Sequence, residues 1–208
     1  MPASKSPAEV AKIKQAVMDA IDKRKDEIIA IGEDIFAHPE LGYKEFRTSE
    51  IVKKHFRQLG INYKDGIAIT GVKGWLKGAE SNVKLCIMGE LDSVRCPEHP
   101  HADPETGAAH SCGHHGQIAG MLGVAMGLVD SGIMQELGGD IALVAVPAEE
   151  YVEIEYRSKL RREGKIQFLG GKQQFIAEGE FDDIDLAMMV HMDGEGEGKK
   201  VSVGGTSN

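Results

Sequence analysis

The sequence predicts an α/β domain built on a largely parallel mixed sheet with helices on both faces. Three observations carry this. Residues 83–88, 140–146 and 185–190 are short apolar runs with the length and composition of buried strands. Segments of helical period stand between them, in the order expected of strand–helix alternation. Each run also ends in acidic residues or a histidine, and an open α/β sheet binds its ligands beyond the carboxyl ends of its strands.

Residues 7–36 read as one long helix. Val10, Ile13, Val17, Ile21, Ile28, Ile31 and Ile35 recur at near-helical spacing, with Ser6 as N-cap and Pro7 at the first helical position. His38-Pro39-Glu40-Leu41-Gly42 breaks that helix and reads as an ordered turn. Residues 48–59 form a second amphipathic helix stopped by Gly60, and His55 on its apolar stripe reads as a packed side chain. Residues 67–76 read as a bent or edge strand because of Gly71 and Gly74. Cys86 lies inside the strand at 83–88 and reads as core filling.

A loop rich in Pro, His and Gly occupies residues 93–109. The helix that follows carries Gly116, Gly120, Gly123 and Gly127 at four-residue spacings. A helical glycine costs about 1 kcal/mol relative to alanine, so close approach to the sheet is the expected offset. Residues 140–146 are the cleanest buried strand. Residues 151–165 read as a charged helix that exposes Arg157, Lys159, Arg161 and Arg162, and residues 168–179 as a short helix. Residues 185–190 are a third buried strand, and 201–203 a short one.

With 41% apolar and 27% charged residues, the composition is that of an ordinary globular chain. The formal charge is 24 − 33 = −9, which argues against nucleic acid or an anionic membrane as the partner. Three cysteines at 86, 96 and 112 form no disulfide framework and suit a reducing compartment. The first residues carry no apolar signal segment and no run reaches membrane-spanning length, so a cytoplasmic protein is expected.

The chemistry concentrates at Ala109-His110-Ser111-Cys112-Gly113-His114-His115-Gly116-Gln117. Cys112 and His114 stand two apart around a glycine, close enough to reach one ion. The strand ends add Glu90 and Asp92, then Glu149 and Glu150, then His191. A thiolate, two imidazoles and a carboxylate make a ligand set for a divalent metal. Of the Glu149-Glu150 pair, one can bind metal while the other faces water as a general base. A metal with a carboxylate base is the apparatus of amide hydrolysis. A competing reading makes Cys112 a thiol nucleophile with His114 or His115 as its base.

His38-Pro39-Glu40-Leu41-Gly42, Gly89-Glu90-Leu91-Asp92-Ser93-Val94, Ser111-Cys112-Gly113-His114-His115-Gly116, Pro147-Ala148-Glu149-Glu150 and Met189-Val190-His191-Met192 resemble, in order, the motifs of the di-metal amidohydrolases. That group includes hippurate, indole-acetyl amino acid and aminobenzoyl-glutamate hydrolases, within the aminoacylase and carboxypeptidase superfamily. The resemblance implies a zinc-peptidase-like catalytic domain. It implies one or two divalent ions, zinc or manganese first and nickel or cobalt also tolerated, held by Cys112, His114, Glu150 and His191. Glu149 would be the general base and acid, and the substrate an N-acyl amino acid or small peptide. Glu90, Asp92 and His115 would stand behind the ligands.

This chain departs from the family pattern at His115 and Glu90, where aspartate is usual, and in a longer interval from Glu150 to His191. Family members are also longer. Residues 1–203 are therefore expected to be the N-terminal portion of the catalytic domain, and 204–208 the start of a crossing to a lid or dimerisation domain. A fragment of this kind would have little activity alone, and the full-length form would be a homo-oligomer. The alternative is a non-catalytic metal-binding domain or subunit that needs a second polypeptide.

Overall fold

The computed structural model describes residues 5–192. The expected strand at 201–203 and the boundary at 203/204 lie outside them. The elements in chain order are α1 (Pro7–Lys23), α2 (Lys25–Phe36), α3 (Phe46–Gln58), β1 (Asn62–Ile67), β2 (Gly71–Leu76), β3 (Lys84–Glu90), β4 (Val94–Arg95), β5 (Ala108–Ala109), α4 (His114–Ser131), β6 (Asp140–Val146), α5 (Ile154–Arg162), α6 (Gly171–Ala177) and β7 (Leu186–Met189). The main sheet has the order β1-β2-β6-β3-β7. β3 pairs in parallel with β6 and β7, whereas β1–β2 and β2–β6 are antiparallel. The sheet is thus mixed, and its parallel part is the trio of strands that the sequence shows as apolar runs.

Period-two alternation on β6 divides the core. Ile141, Leu143 and Ala145 face a cluster with Ile31, Ile35, Val52, Phe56, Ile118, Leu122 and Met126 from α2, α3 and α4. Ala142, Val144 and Val146 face Leu160 of α5, Ile166 and Phe175 of α6 on the other side. Helices therefore cover both faces of β6, and Cys86 is buried in the second cluster as expected.

Several elements differ from expectation. The single helix over 7–36 is two helices, because Arg24 leaves helical geometry (φ −102°, ψ 5°). Its guanidinium pairs with Glu27 at 2.7 Å and Asp130 at 3.0 Å, so the break is pinned to the end of α4. The strand expected at 67–76 is a hairpin, with Ala68 (φ 46°) and Ile69 (φ 74°) in the left-handed region at its turn. Neither residue favours that region intrinsically. Tertiary bonds hold the turn: the Ala68 N–H donates to Glu178 Oε2 at 3.2 Å and the Thr70 hydroxyl to Glu45 Oε2 at 2.6 Å.

Of the glycines of α4, Gly123 and Gly127 approach other helices, while Gly116 and Gly120 face Met192 and Val190 just after β7. A Cβ at Gly127 would meet Ile21 at 2.6 Å, and one at Gly123 would meet Ile28 at 3.2 Å. Sheet contact comes from the strand side, where a Cβ at Gly89 would stand 3.2 Å from the Gln117 carbonyl. β7 is expected to be buried, but among the described residues it lies at the edge of the sheet, with Leu186 and Met188 59% and 58% exposed. Arg157, expected on an exposed face, is fully buried. His55 is buried on α3, as expected of a packed histidine.

Candidate metal centre

Parallel register brings the strand ends together. Glu90 closes β3 opposite Val146, the last residue of β6, and β7 ends two residues before His191. Gly113 (φ 95°) turns the chain into α4, so that His114 opens that helix directly behind β3. Asp92, Glu90 and His114 are buried at the floor, while Cys112, Glu149, Glu150 and His191 reach the rim.

His114 Nδ1 donates to the Asp92 carbonyl at 2.8 Å, since a carbonyl can only accept. Nε2 is thereby left free to point into the cluster. It lies 2.9 Å from Glu90 Oε2, 3.9 Å from Glu149 Oε2 and 3.9 Å from Glu150 Oε1, yet makes no aligned hydrogen bond. Cys112 Sγ lies 3.6 Å from His191 Nε2. Two sets of donor atoms fall within 4.8 Å of one another, Cys112/His114/His191 and Glu90/His114/Glu149, and they share His114. A buried imidazole nitrogen with no aligned hydrogen bond, facing a thiol, a second imidazole and carboxylates, fits a divalent transition metal.

The second set of carboxylates is held firmly. The Glu90 N–H donates to Gln117 Oε1 at 3.0 Å, and Gln117 Nε2 donates to Glu90 Oε2 at 3.1 Å. Lys172 pairs with the other Glu90 oxygen. The Glu150 N–H donates to Asp92 Oδ2 at 3.0 Å. Ala148, which leads into the Glu pair, sits at φ 52°, and its N–H donates to Glu45 Oε1 at 2.8 Å.

Burial alone would lower the His114 pKa, but Asp92 and Glu90 outweigh it and bring it up to about 10. Burial would raise Glu90, but His114 and Lys172 hold its carboxyl at about 2. Burial, with Glu90 next, pushes Glu149 up, the direction that suits a general base. Burial and then Glu150 push the Cys112 thiol up to about 12, which disfavours the thiol-nucleophile reading in the metal-free chain. Glu45 is raised by burial and by the nearby charge of Asp92.

The structure thus brings Cys112, His114, Glu149, Glu150 and His191 to one place; Asp92 stands behind them, whereas Glu90, expected behind the ligands, lies among the donor atoms beside His114 Nε2. His115 points elsewhere: its ring stacks near Phe36 and His110, with centroids 5.0 and 5.4 Å away. Glu40, in the turn motif, accepts the N–H groups of Arg47 and Thr48 and so anchors the start of α3. Sequence reasoning missed Gln117, Lys172, Glu45 and Arg157. Gln117 had a signal, being three residues after His114 and so on the same helical face. The other three act only through tertiary contacts.

No family model matches the chain. The chain is 28% identical over 186 residues to thermostable carboxypeptidase 1 of Saccharolobus solfataricus, covering 84% of this chain and 43% of that protein. It is 34% identical over 128 residues to IAA-amino acid hydrolase ILR1-like 5 of Arabidopsis thaliana, covering 60% of this chain and 29% of that protein. The fold matches that of the Bacillus subtilis YXEP protein, a dinuclear metal binding peptidase from the M20 family, with a TM-score of 0.61 and 23% identity over 78% of this chain and 41% of that one. The chain spans about two-fifths of the length of the first two curated relatives it matches.

Proposed function

We propose a function for a chain that belongs, over a partial length, to the amidohydrolase superfamily: metal-dependent cleavage of the amide bond of an N-acyl amino acid or small peptide. The observation that carries this reading is the convergence of Cys112, His114 and His191 with the Glu149-Glu150 pair at the ends of three parallel strands. Cys112, His114, Glu150 and His191 would hold one or two divalent ions, zinc or manganese first, with nickel and cobalt compatible with the same donors. A bound ion supplies a Lewis acid for the scissile carbonyl and lowers the pKa of water. Glu149, half-exposed at the rim with a raised pKa, takes a proton from the attacking water and passes it to the departing amine. The Asp92 carbonyl fixes the tautomer of His114, and Gln117 and Lys172 hold Glu90 beside its Nε2.

The test is metal content per chain, by elemental analysis of chelator-free protein, for wild type and for Cys112→Ala combined with His114→Ala. One or two ions in wild type, lost in the double variant, is the expected result. Equal content in both overturns the ligand assignment. Metal retention without turnover of any N-acyl amino acid would favour a domain that needs a second polypeptide.

A further inference from the structure

Arg157 comes from α5, between Glu150 and His191, and no part of it reaches solvent. Burying a guanidinium is costly, and the cost is offset where an opposite charge and acceptors stand beside it. Nη1 donates to the Ala148 carbonyl at 3.1 Å and to the Leu169 carbonyl at 3.0 Å. Nη2 lies 3.9 Å from Asp92 Oδ2, a charge pairing without a hydrogen bond, and among the described residues neither Nη2 nor Nε has a hydrogen-bond partner. The Tyr43 ring flanks the guanidinium at 5.6 Å. Gly42 leaves the space: a Cβ there would overlap Arg157 Nη2 and come within 2.9 Å of Ala148 Cα.

Two of the groups beside Arg157, Ala148 and Asp92, also support the Glu pair. Ala148 holds a left-handed conformation that an L-residue keeps only when its surroundings over-determine it. Its N–H is taken by Glu45, and its carbonyl by Arg157 and by the Gly171 N–H at 3.2 Å. Asp92 in turn accepts the Glu150 N–H through one oxygen, while its own carbonyl accepts His114 Nδ1.

We propose that Arg157 is a positioning residue of the metal centre: its guanidinium ties the Ala148 carbonyl to that of Leu169 and sets a buried positive charge beside Asp92, so that Glu149 and Glu150 are presented to His114. The proposal rests on the roles given above to Glu149 and Glu150. Lysine at 157 would keep a charge but lacks the rigid plane that holds Nη1 at the two carbonyls while Nη2 faces Asp92.

The experiment has two readouts on the full chain: hydrogen exchange at the amides of residues 148–150, and cobalt(II) titration followed by visible absorption. The variants are Arg157→Met, Arg157→Lys and, as an exposed control on the same helix, Arg161→Gln. In folded Arg157→Met, exchange at 148–150 should accelerate about tenfold or more while the centre of α4 is unchanged. Cobalt affinity should fall about 10- to 100-fold with altered absorption bands. Arg157→Lys should fall between, and Arg161→Gln should match wild type. Wild-type exchange or wild-type cobalt affinity in Arg157→Met overturns the proposal. If Arg157→Met does not fold, wild-type values for both readouts in Arg157→Lys overturn it instead. Wild-type protein that binds no cobalt sinks the metal-centre reading, and the exchange data then judge the clamp separately.

Discussion

His114 Nε2 lies 2.9 Å from Glu90 Oε2, and both side chains are about 1% exposed. Without metal the two form a buried ion pair, with His114 raised from 6.5 to about 10 and Glu90 lowered from 4.5 to about 2. The raised histidine stabilises the fold fully below pH 6.5, and its share is lost as pH climbs toward 10. The depressed carboxylate stabilises it above pH 4.5, and its share is lost as pH falls toward 2. The pair's contribution in metal-free protein therefore peaks between those unperturbed values. Thermal unfolding across this range should show both flanks, and Glu90→Gln should flatten them. Identical pH curves for the two proteins would contradict the pairing.

Metal loading should release protons. At neutral pH Cys112, pushed up to about 12, and His114, at about 10, both start protonated, and each must lose its proton to bind. Calorimetric titration in buffers of different ionisation enthalpy should give close to two protons released per first ion, with affinity rising with pH. Release of none would remove both residues from the ligand set. Metal should also protect Cys112 from iodoacetamide, which mass spectrometry would map.

Gly42→Ala tests the crowding beneath the Glu pair. The new methyl would overlap the buried Arg157 guanidinium and press on the Ala148 backbone, and neither has free space to yield. Overpacking of this kind costs about 1–3 kcal/mol. At roughly 2–4 °C per kcal/mol for a chain of this size, scanning calorimetry would register the loss. An unchanged melting temperature would mean that the pocket around Arg157 is looser than the structure shows.

The glycines of α4 separate two effects. At Gly120 an added methyl finds its nearest neighbour, Val190, at 3.7 Å, so Gly120→Ala should gain about 0.5–1 kcal/mol of helix propensity. At Gly127 the same methyl meets Ile21 at 2.6 Å and Val17 at 3.2 Å, and the clash should outweigh that gain and leave a net loss of about 1 kcal/mol or more. Chemical denaturation of both variants checks the signs, and two shifts in the same direction would contradict the α1–α4 packing.

The three parallel strands were legible because a strand buried on both faces must be a continuous apolar run, as at Ile141 to Val146. The residues at their ends were legible because the carboxyl edge of such a sheet is where polar groups converge. What was not legible depends on distant partners. Arg24 breaks a periodic helix because Glu27 and Asp130 hold it there. Ala68 and Ile69 turn a hairpin with no glycine at either position because Glu178 and Glu45 support it. Arg157 lies in a segment that reads as solvated, since its partners are two backbone carbonyls and an aspartate far upstream. The exposure of β7 could not be read either, because an apolar run does not reveal whether it is central or at an edge.

β3 is flanked in the sheet by β6 and β7, both of which are made after it. Cys112 and His191, which meet at the rim, are 79 residues apart. During synthesis the thiol and the first imidazole emerge well before the strand that delivers their partner. The centre is therefore a product of sheet closure and depends on late, long-range pairing of the type that slows folding. Until β7 docks, Cys112 lacks the neighbouring imidazole of His191, so on the ligand set proposed above metal capture would wait for β7.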